Sequence, residues 1–506
     1  MEARRALIRK AVNACCGRQG FNFVDGRRCE PTDSTGQIKV TEPATGLPLC
    51  SFGSSGERDV ADAVASAKAA FAQWSQMACT ERGRILINAG SKIRENLEFL
   101  AHLEVKDNGK PIWEARVDIL SCADAFEYFG GVVPSVAGQH IPVGGDSFAI
   151  VSREPLGVVA GIGAWNFPMQ TCTWKVAPAL ACGNTFVYKP SPLTPMTALA
   201  LADILIEVGV PKGSYNVIQG DGETGSLLCH HPDVAKVSFT GSVLTGSKVM
   251  AAAAAGIKKV TLELGGKSPL IIFDDADMKN AVKAALMANF LTQGEVCSNG
   301  TRVFVQKGIY KDFMKNLIEA TKKLKIGDPF EEDTTVGATI SKEHAEKVLR
   351  YVESAKSEGA VVECGGERCV LPPPLDGGYY LSPCVLTSCT DDMKVVKEEV
   401  FGSILSVLTF SEEDEVIDRA NATHFGLAGG VFTKDIQRAF RVVKRVQAGT
   451  LWINTYNLYP PSLPFGGYKQ SGLGRENGTA VLEQYTQTKT VYVEGGDVDC
   501  GPLYQE

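Results

Sequence analysis

Between Arg58 and Asn108 apolar residues recur at steps of three and four, first through Val60–Gln76 and then from Arg82 to Val105. That spacing lays one apolar stripe along a helix. From about residue 155 to 275 the rhythm changes, and short apolar runs alternate with helical stretches. Val158–Ile162 precedes a helix around Trp174 to Leu180, Thr185–Lys189 precedes Met196–Val208, and Tyr215–Gln219 precedes Glu223–His230. Lys236–Thr240 then precedes Leu244–Ala255, and Val260–Glu263 closes the series. Strands separated by helices of this length predict βαβ crossovers and a mainly parallel sheet covered on both faces. In such a sheet the ligand crevice lies beyond the carboxyl ends of the strands, where Lys189, Gly241 and Glu263 fall. A second α/β region, residues 264–476, has expected strands at Leu270–Phe273, Arg302–Gln306 and Thr450–Asn454. The tail Gln484–Glu494 is rich in β-branched residues and reads as an edge strand or hairpin arm, of the kind that pairs with another subunit.

Bulk properties narrow the class. The chain has 506 residues, 44% hydrophobic and 22% charged, about three domains' worth of globular material. Its net charge of −7 is dispersed, and basic groups such as Lys322–Lys325 read as solvated helix ends, so no nucleic-acid surface is expected. No apolar run is long enough for a membrane span. The first 18 residues are basic. They are expected to be a cytoplasmic N-terminal extension, with a mitochondrial presequence as the alternative. Fifteen cysteines, an odd number, point to reduced thiols in a long chain without a secretory signal. The pairs Cys364/Cys369 and Cys384/Cys389 are the only suggestive spacings, and the second reads as a strand, so no metal site is expected.

Four segments carry residues suited to chemistry. Phe239–Gly246 is a Gly-Ser turn between a strand and a helix, whose free N–H groups suit a pyrophosphate or simply make a turn. Cys297 lies in the polar, Gly-bounded stretch Gln293–Arg302, as a nucleophile or as one more small core thiol. Glu263 ends a strand, as a base or an ordinary acidic side chain. Asn166, in Trp165–Pro168, is an oxyanion donor or a turn former.

Together, Ala164–Pro168, Lys189–Ser191, Phe239–Ser242, Leu262–Lys267, Gln293–Cys297, Glu399–Gly402, Pro464–Lys469 and Ser471–Glu476 resemble the aldehyde dehydrogenase superfamily in order and spacing, over nearly the whole chain. The resemblance implies an α/β fold: a Rossmann-like NAD-binding domain from residues 1–133 and 155–263, a catalytic domain from 264–476, and a small β oligomerisation arm from 134–154 and 483–497. It implies that Cys297 attacks an aldehyde, that Asn166 and the Cys297 N–H hold the oxyanion, and that a hydride passes to the nicotinamide. Glu263 then activates the water that hydrolyses the thioester, with Lys175 and Glu476 as its proton relay. An aldehyde has no hydride to give until its carbon is tetrahedral, which is why covalent addition comes first. The cofactor is expected on Trp165, Lys189, Gly222, Gly241, Ser242, Val243, Leu244, Thr245, Glu399 and Phe401. NAD is favoured, and NADP is allowed because Pro192 stands where NAD-specific relatives carry a Glu.

Within the superfamily the chain is most similar to the branch acting on betaine aldehyde, 4-trimethylaminobutyraldehyde and other aminoaldehydes. Its substrate is therefore expected among Phe167, Trp174, Tyr456 and Phe465, whose aromatic faces suit a quaternary ammonium, with Asp118 as a charge partner. Leu291 stands where some relatives have Trp. A homotetramer is implied by analogy. The rival readings are an aldehyde dehydrogenase of broader aliphatic range, a Cys–His acyl hydrolase, for which no histidine sits in a base motif, and a crystallin-like structural protein. CoA-acylating relatives generally lack a base like Glu263, so water is the expected acceptor.

Overall fold

Every residue of Val158–Ile162 (β1) and Thr185–Lys189 (β2) is buried, as a strand covered on both faces must be. The computed structural model describes residues 20–503 together with Lys10, Val12, Asn13 and Gly17. The rest of the basic N-terminal stretch, expected as an extension or presequence, lies outside the described residues. Chain order continues through Tyr215–Val217 (β3), Val234–Thr240 (β4) and Lys259–Glu263 (β5). The parallel core of this eight-stranded sheet runs β3-β2-β1-β4-β5. The chain therefore winds outward from β1 to β3, then returns to the other side of β1. The carboxyl ends of β1 and β4 flank this switch point, where a crevice opens in such sheets. A hairpin, Asn22–Val24 with Arg27–Cys29, extends one edge, and Gly472–Leu473 pairs antiparallel with β5 at the other.

The second sheet is built from Pro269–Ile272 (β6), Arg302–Gln306 (β7), Cys384–Thr387 (β8), Ile404–Phe410 (β9), Ala428–Phe432 (β10) and Thr450–Ile453 (β11). They are parallel in the order β8-β9-β7-β6-β10-β11, with Val361–Cys364 antiparallel outside β8. Four helices matter to the site: Ile112–Val132 (α1), Pro168–Ala181 (α2), Val243–Ala255 (α3) and Lys342–Ser357 (α4). The helix expected around Trp174 starts earlier, because Pro168 is well suited to its first position, where no N–H is required.

The tail forms its strand at Thr486–Val493, after a short helical turn at Val481–Gln484. It is the edge of a three-stranded antiparallel sheet with Ser147–Pro155 and Gln139–Gly144. Ile141, Val143, Ile150, Val491 and Tyr492 of this sheet are exposed. Among the described residues no helix is long and apolar enough to cross a membrane, and no group of three His, Cys, Asp or Glu side chains is arranged to hold a metal ion.

Candidate active site

The loop after β1 supplies Trp165, Asn166 and Phe167. Asn108 Nδ2 donates to the Trp165 carbonyl at 2.8 Å, and Asn166 Nδ2 donates to the Glu295 carbonyl at 2.8 Å. The second amide hydrogen of Asn166 remains for another acceptor. Cys297 is delivered by a strained turn in which Thr292, Gln293 and Gly294 have φ of 47°, 53° and 76°. For the two side-chain-bearing residues this left-handed backbone costs about 1–2 kcal/mol each. Glu114 Oε2 offsets part of it by accepting from both the N–H and the hydroxyl of Thr292 at 2.8 Å. A Cβ at Gly294 would stand 2.3 Å from the Gly402 backbone, so only glycine lets the turn approach that closely.

Glu263 comes from the end of β5 with neither carboxylate oxygen hydrogen-bonded to protein. Behind it Lys175 Nζ, from α2, donates to Glu476 Oε1 at 2.7 Å, with both side chains 1% exposed. Ser238 Oγ donates to the same oxygen at 3.1 Å. Burial first, then the charge of Glu476, pushes the Glu263 carboxyl well above the usual range, against the opposing pull of Lys175. Cys297 keeps some exposure at the cavity floor but is otherwise enclosed. Burial, followed by the negative charges of Glu399 and Glu263, pushes its thiol up to about 12.

Two cavities meet at this sulfur. The first is predominantly apolar, and Phe167, Trp174, Tyr459 and Phe465 form its aromatic walls. Trp174 lies edge-on to Phe465 at 5.7 Å and to Tyr459 at 6.1 Å, and Tyr459 lies edge-on to Phe465 at 5.3 Å. The second is a more polar cleft of about 260 Å³ at the β1/β4 switch point, lined by Trp165, Gly241, Ser242, Gly265, Glu399 and Phe401, with His344 and Lys347 from α4. Asn166, Thr240, Glu263 and Cys297 line both. A ligand in either cavity therefore reaches the same thiol, carboxylate and amide. Gly266 N donates to Glu399 Oε1 at 3.0 Å, and a Cβ at Gly265 would fall 2.1 Å from Glu399 Oε2. Burial above all raises the Glu399 carboxyl to about 7.

Known proteins resemble the chain throughout. The profile of the Aldehyde dehydrogenase family matches residues 30–491. The chain belongs to the aldehyde dehydrogenase family. This aldehyde dehydrogenase is 58% identical to human 4-trimethylaminobutyraldehyde dehydrogenase over 482 residues, covering 95% of this chain and 98% of the human protein. It is 57% identical to 4-trimethylaminobutyraldehyde dehydrogenase A of Danio rerio over 483 residues, 95% of each chain. Among solved structures, betaine aldehyde dehydrogenase of Staphylococcus aureus in complex with NAD+ matches with a TM-score of 0.94 and 38% identity, over 98% of this chain and 99% of that one.

The structure of this aldehyde dehydrogenase places Cys297, Glu263, Asn166, Lys175 and Glu476 on one cavity. Two residues expected at the substrate stand elsewhere. Tyr456 does not line the cavity: its ring packs on Trp452 at 4.7 Å and its hydroxyl donates to the Ser298 carbonyl at 2.8 Å. The aromatic wall is Tyr459 instead, whose hydroxyl is bonded to Ser298 Oγ and donates to Asn457 Oδ1. Asp118 also lies outside the lining, because it accepts from Lys110 Nζ at 2.5 Å and that ammonium sits 4.2 Å over the Phe167 ring. Of the expected cofactor residues, Trp165, Gly241, Ser242, Glu399 and Phe401 line the cleft. Lys189, Gly222, Val243, Leu244 and Thr245 do not. Lys189 Nζ donates to the carbonyls of Pro190 and Gly220, and Gly222 opens the helix beyond them. Val243, Leu244 and Thr245 form the first turn of α3, capped by Ser242 Oγ accepting from the Thr245 N–H. His344, Lys347 and Tyr459 were missed. Tyr459 shares a loop with Tyr456, and only packing decides which of the two faces inward.

Proposed function

We propose that this aldehyde dehydrogenase oxidises a trimethylammonium-bearing aldehyde, of the 4-trimethylaminobutyraldehyde or betaine aldehyde class, to its carboxylic acid with NAD. The observation that carries the reading is the common wall: one thiol, one carboxylate and one amide shared by an aromatic pocket and a polar cleft. The residues present fit a nicotinamide dinucleotide. Gly265 is bare where Glu399 closes in, and the α3 N-terminus opens beside the cleft to receive phosphate. Glu399 and Phe401 would hold the nicotinamide riboside, Ser242 to Thr245 the pyrophosphate, and Lys189 the adenosine ribose. Bound there, NAD supplies the acceptor for the hydrogen that leaves the aldehyde carbon with its electron pair.

The chain's own residues do the rest. The Cys297 sulfur adds to the carbonyl carbon as its proton passes to solvent in the open cleft, and Asn166 Nδ2 with the Cys297 N–H donates to the new oxyanion. One such donor is worth roughly 3 kcal/mol in comparable acyl-transfer sites. Once the carbon is oxidised, Cys297 carries a thioester. Glu263, a stronger base for being buried, removes a proton from the attacking water, and Glu476 with Lys175 is placed to take that proton onward.

The pocket suits a quaternary ammonium because Phe167, Trp174, Tyr459 and Phe465 wall it with aromatic rings. Asp118, the expected counter-ion, lies outside the cavity lining and is paired to Lys110. The aromatic walls would pack round a trimethylammonium, which donates no hydrogen bond, whereas a primary ammonium would need acceptors that rings do not supply. The test compares kcat/KM, followed by NADH absorbance, for trimethylaminobutyraldehyde, betaine aldehyde, unsubstituted aminoaldehydes and aliphatic aldehydes, each with NAD and NADP. We expect the trimethylammonium substrates to lead the unsubstituted amines by about tenfold. A lead for plain aliphatic aldehydes would sink the substrate assignment. Pro192 offers no carboxylate to repel a 2′-phosphate, so NADP should support measurable turnover below that with NAD.

The exposed apolar positions of the three-stranded arm support a homotetramer. Cys122, Cys172, Cys182, Cys229 and Cys384 are buried free thiols, which supports a reducing compartment such as the cytoplasm.

A further inference from the structure

Phe401 holds φ of 64° without being glycine, next to the carboxylate that enters the cleft two residues earlier. A left-handed backbone at an aromatic residue is uphill and persists only where its surroundings over-determine it. The group that does so is His344. Its Nε2 lies 2.7 Å from the Phe401 carbonyl oxygen. A carbonyl only accepts, so Nε2 carries the hydrogen. Burial, above all, lowers the imidazole to about 4 and keeps it neutral. The ring itself is fixed from three sides. Ser341 Oγ caps α4 by accepting from the His344 N–H at 3.2 Å, which sets the backbone. Trp165 stands edge-on to the imidazole at 5.2 Å, and Phe401 lies edge-on to Trp165 at 5.2 Å. Glu295 Oε1 lies 3.8 Å from Nε2 and accepts from the Ile340 N–H at 3.1 Å. The carbonyl of that same Glu295 accepts from Asn166. His344 thus joins the Glu399–Phe401 turn on one side of the cleft to the residue pair just before Cys297 on the other.

We propose that His344 is a positioning residue for the cofactor's reactive ring, its Nε2–H fixing the Phe401 carbonyl and so the turn that aims Glu399 and Phe401 at the Cys297 side of the cleft. This rests on the reading of the polar cleft as the nicotinamide site. His344 itself takes no part in bond making. Its loss should change how the dinucleotide is held and how well the hydrogen leaves the carbon, while the thiol keeps its reactivity.

The experiment uses the full-length enzyme with His344→Leu, His344→Gln and, as a control on the cleft, Glu399→Gln. The Gln amide nitrogen reaches about where Nε2 sits, so it can donate to the same carbonyl. Three quantities are measured: NAD affinity by fluorescence titration, KM for NAD against kcat, and the primary isotope effect on kcat with aldehyde deuterated at C1. In His344→Leu, an unpartnered buried carbonyl should weaken NAD binding about tenfold, and an isotope effect should emerge as hydrogen transfer becomes slow. His344→Gln should return affinity to within about threefold of wild type and suppress that isotope effect. Wild-type behaviour in His344→Leu overturns the assignment, and so does a His344→Gln enzyme as impaired as His344→Leu, since ring packing would then be the whole role. If Glu399→Gln weakens NAD binding while His344→Leu does not, only the assignment of His344 fails. If neither does, the cleft reading fails and takes this assignment with it.

Discussion

Cys297 is surrounded by groups that favour its protonated form. Burial removes the water that would solvate a thiolate, and Glu399 and Glu263 add negative charge beside it. The sign is then fixed for the free enzyme. The thiolate fraction should climb about tenfold per pH unit from neutrality upward, with no plateau below about pH 10. Iodoacetamide inactivation measured over that range should follow it, and a rate flat across the range would contradict the thiol's placement. Because Glu399 titrates at about 7, it is ionised under mildly alkaline conditions. Replacing it with Gln there removes a charge that raises the thiol, so alkylation should quicken by roughly threefold. Glu263 is a different case, because its work follows oxidation. In Glu263→Gln the thioester should form and accumulate, visible as a mass increase on Cys297, while steady-state turnover falls about 10²- to 10⁴-fold. Normal turnover in that variant would remove Glu263 from the hydrolytic step. Cys297→Ala should abolish oxidation altogether.

At the scale of elements, the substrate pocket is braced from behind by α1 and the residues just before it. Lys110 is fully buried, 2.5 Å from Asp118 and 3.7 Å from Glu104, with its ammonium over Phe167. Removing one partner of such a pair leaves a desolvated charge, which typically costs 3–5 kcal/mol. Glu104 stays close enough to hold part of it. We therefore expect Asp118→Asn to destabilise the protein by about 3 kcal/mol in urea unfolding, and to raise the aldehyde KM as Phe167 loses its support. An unchanged unfolding midpoint would mean that Lys110 finds water or Glu104 at no cost. The same elements explain what could be read in advance. Strands β1 and β2 stood out because burial on both faces leaves short, mainly apolar runs, and the strand ends and turns of the series held Asn166, Gly241 and Glu263. Gly472–Leu473 and the Asn22–Cys29 hairpin did not, since strands of two or three residues have no period and exist only through the partners they meet. His344 escaped because its helix reads as an ordinary amphipathic one, and its value lies in a carbonyl 57 residues away.

For the whole molecule, the arm formed by Gln139–Gly144, Ser147–Pro155 and Thr486–Val493 is out of keeping with a free monomer. Ile150 pairs with Val491 across the strands and both are exposed, while Ile141 and Tyr492 are exposed at the alternate positions that flank Ala149. Side chains alternate faces along a strand, so apolar groups are offered to solvent on both sides of the same sheet. The edge strand Thr486–Val493 adds a row of N–H and C=O groups that no strand among the described residues pairs with on its outer side. Natural edges of this kind are normally charged, bulged or covered; this one carries a single charge, Lys489, already paired to Glu154, beside exposed Val491 and Tyr492. A second copy of the chain, as in the assembly proposed above, would cover an apolar face and pair the edge under one symmetry. Placing lysine at Ile150 and Val491 sets like charges opposite each other on one face without entering either α/β core. We expect light scattering on that double variant to report a smaller species than the wild-type assembly, with the melting temperature of the α/β cores lowered only slightly. If the double variant keeps the wild-type mass, the arm is not the assembling surface, and its exposed apolar face must be accounted for by some other contact.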